Sequence, residues 1–544
     1  VESEAPRSDS ELILRLALDL DEAGFTVESI AEFLGERAYL AMDREQFIPA
    51  LAVTELAEGQ LADLIRLFLL AVPVAAERLQ IALPRTGAAG LAALGLAELH
   101  DGRYRCRVDL RPYAFEDADG EVRLWAASDL AAHQRPGVLR HDHVLGIGQA
   151  SLTLAQTTTR APADRALDLG TGCGIQTFHL LRHVRHVTAT DISERALAFT
   201  RFNLLLNATA LAVDPTDLEH RVSLRLGSLL EPVRGQRFDL IVSNPPFVIT
   251  PRYDGELSAD QFTYRDGGLP GDEIVSSLVR ALPDALVEGG TAQLLGNWEV
   301  RVDAPDWHSR IEQWFTLGLD SWVIQREQLS PEQYAETWLQ DASEGRDPEL
   351  YGAAYRDYLR DFTARDVDSI GFGMVWLRRA SSPPNLRRFE ELTHPIEQPI
   401  GAHLGAAVAR FDWLAQGDLP AAKLDVAEDV TEERHQRPGA EHPGVILLRQ
   451  GGGLRRTTLL SSELAGFVSA CDGTLTVAQI IAALEALLGE DLDLLGHVRQ
   501  LVLDGFLIVS SPISSEDEHG HDRASQKGRS AAGDEANPGA EETA

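Results

Sequence analysis

Apolar side chains recur with a helical period at the start of the chain. In ELILRLALDLDEAGF (11–25), Leu12, Leu16 and Leu20 share one face, Ile13 and Ala17 lie beside them, and Gly24 closes the run. Farther on, AAGLAALGLAELHDGRYRCRVDL predicts a helix ending near His100, an Asp101-Gly102 turn and a short alternating strand. A helix followed by a hairpin suggests a winged-helix-like unit, so residues 11–114 read as an N-terminal helical domain. Its role is either packing and substrate orientation or contact with nucleic acid.

Over 115–385 the pattern changes to short apolar strands alternating with helices, which predicts a parallel sheet covered on both faces. The candidate strands are Ala166 to Leu169, His186 to Thr190, Val222 to Leu226, Phe238 to Val242 and Gly290 to Gly296, with a helix opened by Ser193 between the second and third. Residues 386–510 read as a C-terminal accessory domain: a loop-like stretch from Gly417 to Pro443, then two or three helices and a strand, again winged-helix-like. The tail, 511–544, has eight acidic against three basic residues and almost no large apolar side chains, and is expected to be disordered.

With 44% hydrophobic and 24% charged residues over 544 positions, the composition fits a soluble, folded, multidomain chain. The most apolar stretch, Leu61 to Ala76, is interrupted by Asp63, Arg66 and Pro73, so no membrane span is expected. Val1 to Ser10 lacks the basic flank and apolar core of a secretory signal. Three cysteines without a CxxC pair exclude a disulfide framework and a cysteine zinc site, and point to a reducing cytoplasm. A net charge of −35 predicts weak non-specific binding to DNA or anionic membrane.

Chemistry concentrates in the middle segment. ALDLGTGCG runs an apolar strand into a turn where Gly170, Gly172 and Gly174 allow close approach of a ligand. It lacks the GK[ST] of a phosphate loop, which argues against ATP. Asp191 follows 21 residues after Gly170 at the end of HVTATD, where an acid can accept both hydroxyls of a ribose, in NAD or in S-adenosylmethionine. Asp168 is placed to meet a cofactor ammonium through water or backbone. FDLIVSNPPF then ends a strand in a rigid proline turn. There the Asn244 side chain and the Pro245 carbonyl can accept the two hydrogens of a planar NH2 group while Phe247 stacks on its plane.

In this order and spacing the segments resemble the class I S-adenosylmethionine-dependent methyltransferases that carry an NPP(Y/F) motif. These include the glutamine N5-methyltransferases of release factors, the small-domain rRNA guanine N2-methyltransferases and the adenine N6-methyltransferases. The resemblance covers about 200 residues, from Leu145 to near Gln340. It implies an α/β, Rossmann-like seven-stranded sheet flanked by the two smaller domains, S-adenosylmethionine as cofactor, and no metal. The implied cofactor contacts are Asp168, Gly170, Thr171, Gly172, Gly174, Asp191, Ile192, Ser228, Leu229 and Asn244. The implied catalytic turn is Asn244, Pro245, Pro246 and Phe247, and the implied substrate contacts are Phe247, Tyr264 and Arg265; Trp298, after a sheet strand at its carboxyl end, is a further candidate contact read from the chain itself. Asn203 falls in the helix where many relatives write an asparagine.

The chain departs from the family at Ser228, where relatives carry an acid for the adenine amino group, and in LRHDHVLGIGQASLTLAQ, which lacks the proline- and arginine-rich entry of the release-factor enzymes. His141 and His143 have no convergent third ligand and read as solvent-facing or hydrogen-bonded; Cys173 reads as a small filler. Most of Trp307, Trp314, Trp322 and Trp338 read as packing, with Trp298 the best candidate for the site. The expected reaction is N-methylation of a planar amino or amide nitrogen in an rRNA or tRNA base. A protein glutamine, or a small metabolite or peptide natural product, is the alternative acceptor. A binding protein with a vestigial pocket and a nicotinamide enzyme are the competing classes.

Overall fold

The computed structural model describes residues 4–131, 134, 140–252, 267–316, 318–341, 348–381 and 383–510. The chain forms two compact units, Val1–Val408 and Ala409–Ala544.

The first unit opens with helices α1 Ser10–Glu22, α2 Val27–Leu34, α3 Glu36–Met42, α4 Ile48–Glu55, α5 Gln60–Leu64, α6 Ala76–Ala82 and α7 Gly87–Leu94. In α1 the side chains of Ile13, Leu16 and Leu20 are buried, the face its periodicity marks. Helix α7 stops at Gly95, whose φ of 76° is left-handed, so Ala97–His100 is strand β1 and not the end of a helix. The turn Asp101-Gly102, with φ of 48° and 77°, joins it to β2, Arg103–Cys106.

A longer hairpin follows, β3 Val108–Asp117 and β4 Gly120–Asp129. It forms a two-stranded sheet of its own, and the boundary drawn from sequence at 114/115 falls inside β3. Its β3 docks on the next domain through the Tyr113 hydroxyl, 2.6 Å from Nε2 of His179, while Arg160 donates to the other ring nitrogen at 3.2 Å. Burial and the Arg160 charge push His179 down to about 3, so the ring is neutral.

After α8 Gln149–Thr157 come β5 Ala163–Leu169, α9 Ile175–Leu180, β6 Val184–Asp191, α10 Glu194–Leu206, β7 Val222–Leu226 and β8 Phe238–Ser243. They are followed by α11 Glu273–Ala285, β9 Leu286–Arg301, β10 Leu319–Leu329, α12 Pro331–Asp341, α13 Pro348–Ala364, β11 Val367–Arg379 and β12 Arg387–Glu391. The strands make one mixed sheet in the order β12-β10-β11-β9-β8-β5-β6-β7. β5 to β9 pair in parallel, β11 runs antiparallel to β9 and β10, and β12 adds a parallel eighth strand beside β10. The fold is therefore the expected Rossmann-like sheet with one strand more than seven. β5 and β8 end in continuously buried residues, as strands covered on both faces must. Helix α11 buries Val275, Leu278, Val279 and Leu282 against Leu167, Ile241, Ala292 and Leu294 in one core.

The division between units falls within α14, Gly401–Gln416. The second unit contains β13 Lys423–Val426, β14 Val430–His435, β15 Val445–Gln450, β16 Thr457–Leu460, α15 Ser462–Ser469, β17 Asp472–Thr476, α16 Val477–Leu488, α17 Leu495–Asp504 and β18 Leu507–Val509. Its strands form two three-stranded sheets around a core that includes Leu424, Phe467, Val477 and Val502. Two strands thus occupy the stretch expected to be loop. Their charged, half-exposed faces conceal the alternation that marks a buried strand. The tail from 511 lies outside the described residues.

Candidate active site

Three parallel strands, β5, β6 and β8, end side by side, and the chain's order reverses between β5 and β8, where open α/β sheets place ligands. The glycine turn after β5 is pinned at nearly every polar atom. Gly170 and Thr171 donate their amides to the Thr190 carbonyl, each at 2.9 Å, and Gly172 donates to Asp191 Oδ2 at 3.0 Å. Thr200 Oγ1 donates to the Gly172 carbonyl at 2.9 Å, and Asn203 Nδ2 to that of Cys173 at 2.8 Å. Gly172 is left-handed, at φ 58°, with open space where a Cβ would stand. Gly174, at φ 97°, has Thr200 behind it and does not line the cavity.

Asp168 lies beneath this loop and not in the cavity. It is 0% exposed, and its Oδ2 accepts from the hydroxyls of Thr171 at 2.7 Å and Thr177 at 2.6 Å, so it holds the loop instead of meeting a ligand. Burial pushes its carboxyl up to about 6 against the pull of those two hydroxyls, and Oδ1, which has no partner, is the oxygen left to carry a proton. The folded state then holds this proton more tightly than the unfolded chain. The group's contribution to stability is full below its ordinary value of 3.8 and is lost as pH rises through about 6. Asp168→Asn is expected to remove that dependence, and denaturant unfolding of both proteins across this range measures it. A difference in stability that stays constant with pH would refute the buried-acid account.

Asp191 ends β6, with its carboxylate accepting the amides of Gly172 and Ser193 (Oδ1, 2.9 Å). Burial raises its pKa, opposed by these backbone donors. Two backbone bonds leave acceptor capacity on both oxygens, as a ribose diol requires. Beyond β7, the amide of Gly227 donates to the Asp191 carbonyl at 2.9 Å. Leu229 takes the left-handed φ of 45°, and Ser228 and Leu229 line the cavity together with the glycine turn.

At the end of β8, Ser243 Oγ donates to the Leu169 carbonyl at 2.8 Å and fastens the proline turn to the glycine turn. Asn244 lines the cavity, and its Oδ1 is buried without a hydrogen-bond partner. An unpaired buried acceptor costs about 1–3 kcal/mol, a cost offset when a donor arrives. The turn's exit is held by Tyr334 of α12, whose hydroxyl accepts from the Ile249 amide at 2.8 Å and from Asn297 Nδ2 at 2.9 Å.

These elements surround a cavity of about 410 Å³. It brings together Gly170, Thr171, Gly172, Asp191, Ile192, Ser228, Leu229, Asn244, Pro245 and Pro246 from the sequence expectations. Phe247 is half-buried against the α11 core and does not line it. Trp298 is 0% exposed, three residues before the end of β9, donates Nε1 to Gln325 at 2.8 Å and stacks on Trp307; it is a core residue because β9 continues past Gly296 to Arg301. Trp314 and Trp322 are likewise core. Tyr264 and Arg265 lie outside the described residues. Sequence reasoning missed His143, Val144, Leu145 and Gly146, which form a wall of the cavity. His141 is exposed while His143 is buried, so the two do not converge. Among the described residues no cluster of three His, Cys, Asp or Glu side chains could hold a metal, and no helix is long and apolar enough to cross a membrane.

The family described as methyltransferase small domain matches residues 129–260, the span that supplies most of this cavity's lining. The chain carries a class I S-adenosylmethionine-dependent methyltransferase domain. The domain is related to the rRNA guanine-N2 and release-factor glutamine-N5 methyltransferase families. It is 31% identical over 173 residues to a ribosomal protein uL3 glutamine methyltransferase of Bradyrhizobium diazoefficiens, covering 31% of this chain and 50% of the relative. It is 33% identical over 168 residues to a release factor glutamine methyltransferase of Geobacter sulfurreducens, covering 28% and 51%. It is also 31% identical over 149 residues to a ribosomal RNA small subunit methyltransferase C of Citrobacter koseri, covering 27% and 38%. The chain spans about half the length, or less, of these curated relatives. A domain of unknown function (DUF7059) matches residues 22–107, ahead of the methyltransferase domain. S-adenosylmethionine is the cofactor of this domain. The residues present fit it: a glycine turn open at Gly172 and a carboxylate with spare acceptor sites at Asp191.

Proposed function

We propose that the protein transfers the methyl group of S-adenosylmethionine to a planar NH2 nitrogen, the exocyclic amine of an RNA base or the amide of a protein glutamine. The observation that carries this reading is Asn244, a residue that lines the cavity and whose Oδ1 is buried without a partner. The cofactor, when bound, supplies an electrophilic methyl on a cationic sulfur. Gly172 and Asp191 would hold its methionine and ribose ends. Asn244 Oδ1 and the Pro245 carbonyl would accept the two NH2 hydrogens, which returns lone-pair density to nitrogen and aims it along the transfer line. As the N–C bond forms, the nitrogen becomes acidic and passes one proton to water. Orientation and desolvation then supply most of the acceleration.

The two acceptors share one geometry, so the turn alone favours neither. Two of the relatives are named for glutamine, and the net charge of −35 opposes loose binding to RNA; both support the protein reading beside the RNA one. The test is transfer of a labelled methyl group to separated RNA and protein fractions. Nuclease- or protease-sensitive label that analyses as N-methylated base or N-methylglutamine is expected, and label on oxygen or carbon, or none, would overturn the reading.

A further inference from the structure

The domain ahead of the catalytic sheet is joined to the cofactor site by a chain of specific contacts. Asn203 of α10 and Asn207, which caps the C-terminal end of that helix, hold strand β4 by its backbone. Asn207 Oδ1 accepts the Trp125 amide at 2.8 Å and Nδ2 donates to the Trp125 carbonyl at 2.7 Å. Asn203 does the same for Ala127, at 2.8 and 2.9 Å, and its Nδ2 also reaches Cys173 in the glycine turn. Helix positions four apart rise about 6 Å and strand positions two apart about 6.7 Å, so two asparagines can stand in for a third strand. Because the Trp125 carbonyl already accepts from Asn207, the missing N–H of Pro112 opposite it leaves no gap in the hairpin. The indole of Trp125 donates to the Phe25 carbonyl at 2.7 Å and so reaches the N-terminal helices.

At the cavity end the same strand finishes in Asp129. Its amide donates to the Val144 carbonyl at 3.1 Å and its Oδ2 accepts the Val144 amide at 2.9 Å. The carboxylate is also paired with Arg195 of α10 and lies 3.8 Å from His143 Nδ1. Gly146 presses on the strand so closely that a Cβ there would stand 2.6 Å from Ser128 Oγ. The wall His143–Gly146 therefore takes its position from the hairpin.

We propose that the hairpin Val108–Asp129 is a working part of the cofactor site: held at the C-terminal end of α10 by Asn203 and the capping Asn207, it positions the cavity wall His143–Gly146 through Asp129, a positioning residue for cofactor binding. This rests on the reading of the cavity as the cofactor site. The test uses the full chain, with S-adenosylhomocysteine binding by calorimetry and amide hydrogen exchange read side by side. Asp129→Ala should weaken binding about tenfold and speed exchange across 140–146. Asp129→Asn, which keeps an acceptor for the Val144 amide, should restore most of the affinity. Asn207→Ala, which touches neither the wall nor the glycine turn, should weaken binding about threefold with faster exchange at Trp125 and Val144; it and Asp129→Asn decide the matter if Asp129→Ala does not fold. Unchanged affinity and exchange at 140–146 in the variants, or losses that simply track melting temperature without rescue by asparagine, would overturn the proposal. If the unmodified protein binds no S-adenosylhomocysteine, the cavity reading fails and this proposal with it.

Discussion

Asn244→Ala is expected to leave affinity for S-adenosylmethionine within about twofold and to lower methyl transfer by two orders of magnitude or more. The side chain carries an acceptor that nothing in the folded chain satisfies, while its backbone, which borders Gly170, survives the substitution. One oriented acceptor in a dry site is worth roughly 3 kcal/mol in the transition state, or about two orders of magnitude in rate. Asn244→Asp keeps an oxygen in place but adds a charge that a closed site must desolvate, so partial activity with an altered pH profile is expected. Single-turnover rates at saturating cofactor, beside calorimetric affinities, make the comparison. A normal rate in Asn244→Ala would end the clamp hypothesis and reopen an oxygen atom as the methyl acceptor.

Asp191→Ala should do the reverse and act on binding. The substitution removes the charged acceptor proposed for the ribose hydroxyls, a loss of roughly 1.5–3 kcal/mol, tenfold or more in affinity. It also releases the amides of Gly172 and Ser193, so part of the loss comes from a looser glycine turn. Asp191→Asn removes the charge but keeps one oxygen, which can still accept one of these two amides, and should lose less. Titration with S-adenosylhomocysteine measures both, and equal affinity in unmodified protein and Asp191→Ala would remove the ribose assignment.

The glycine turn, Asp191 and the proline turn were legible in the sequence because each is a local device. A strand runs into residues whose backbone or side chain must sit at its end, and the spacing survives whatever packs around it. Asp168 shares that segment yet misled, since its inward side of β5 meets Thr171 and Thr177 and not the cavity. Trp298 was misread because glycines at 289, 290 and 296 make β9 look short, whereas Gly371 and Gly373 on the neighbouring strand are what let the indole lie there. Gly371 would place a Cβ 2.2 Å from its Nε1. His143 to Gly146 and the asparagine pair were invisible for a different reason. Their partners are 15 to 82 positions away, and no periodicity along one segment encodes a helix side chain bonding to a strand backbone.

The three cysteines of the chain, Cys106, Cys173 and Cys471, are all buried, and burial pushes each thiol up to about 12. Alkylating reagents attack the thiolate, so near neutral pH the native side chains stay silent toward maleimides. Ile192, by contrast, is exposed on the cavity rim. A reporter dye attached through Ile192→Cys would therefore sit alone on an otherwise unaltered polypeptide, and its emission would follow ligand entry in real time, with no need for a cysteine-free background.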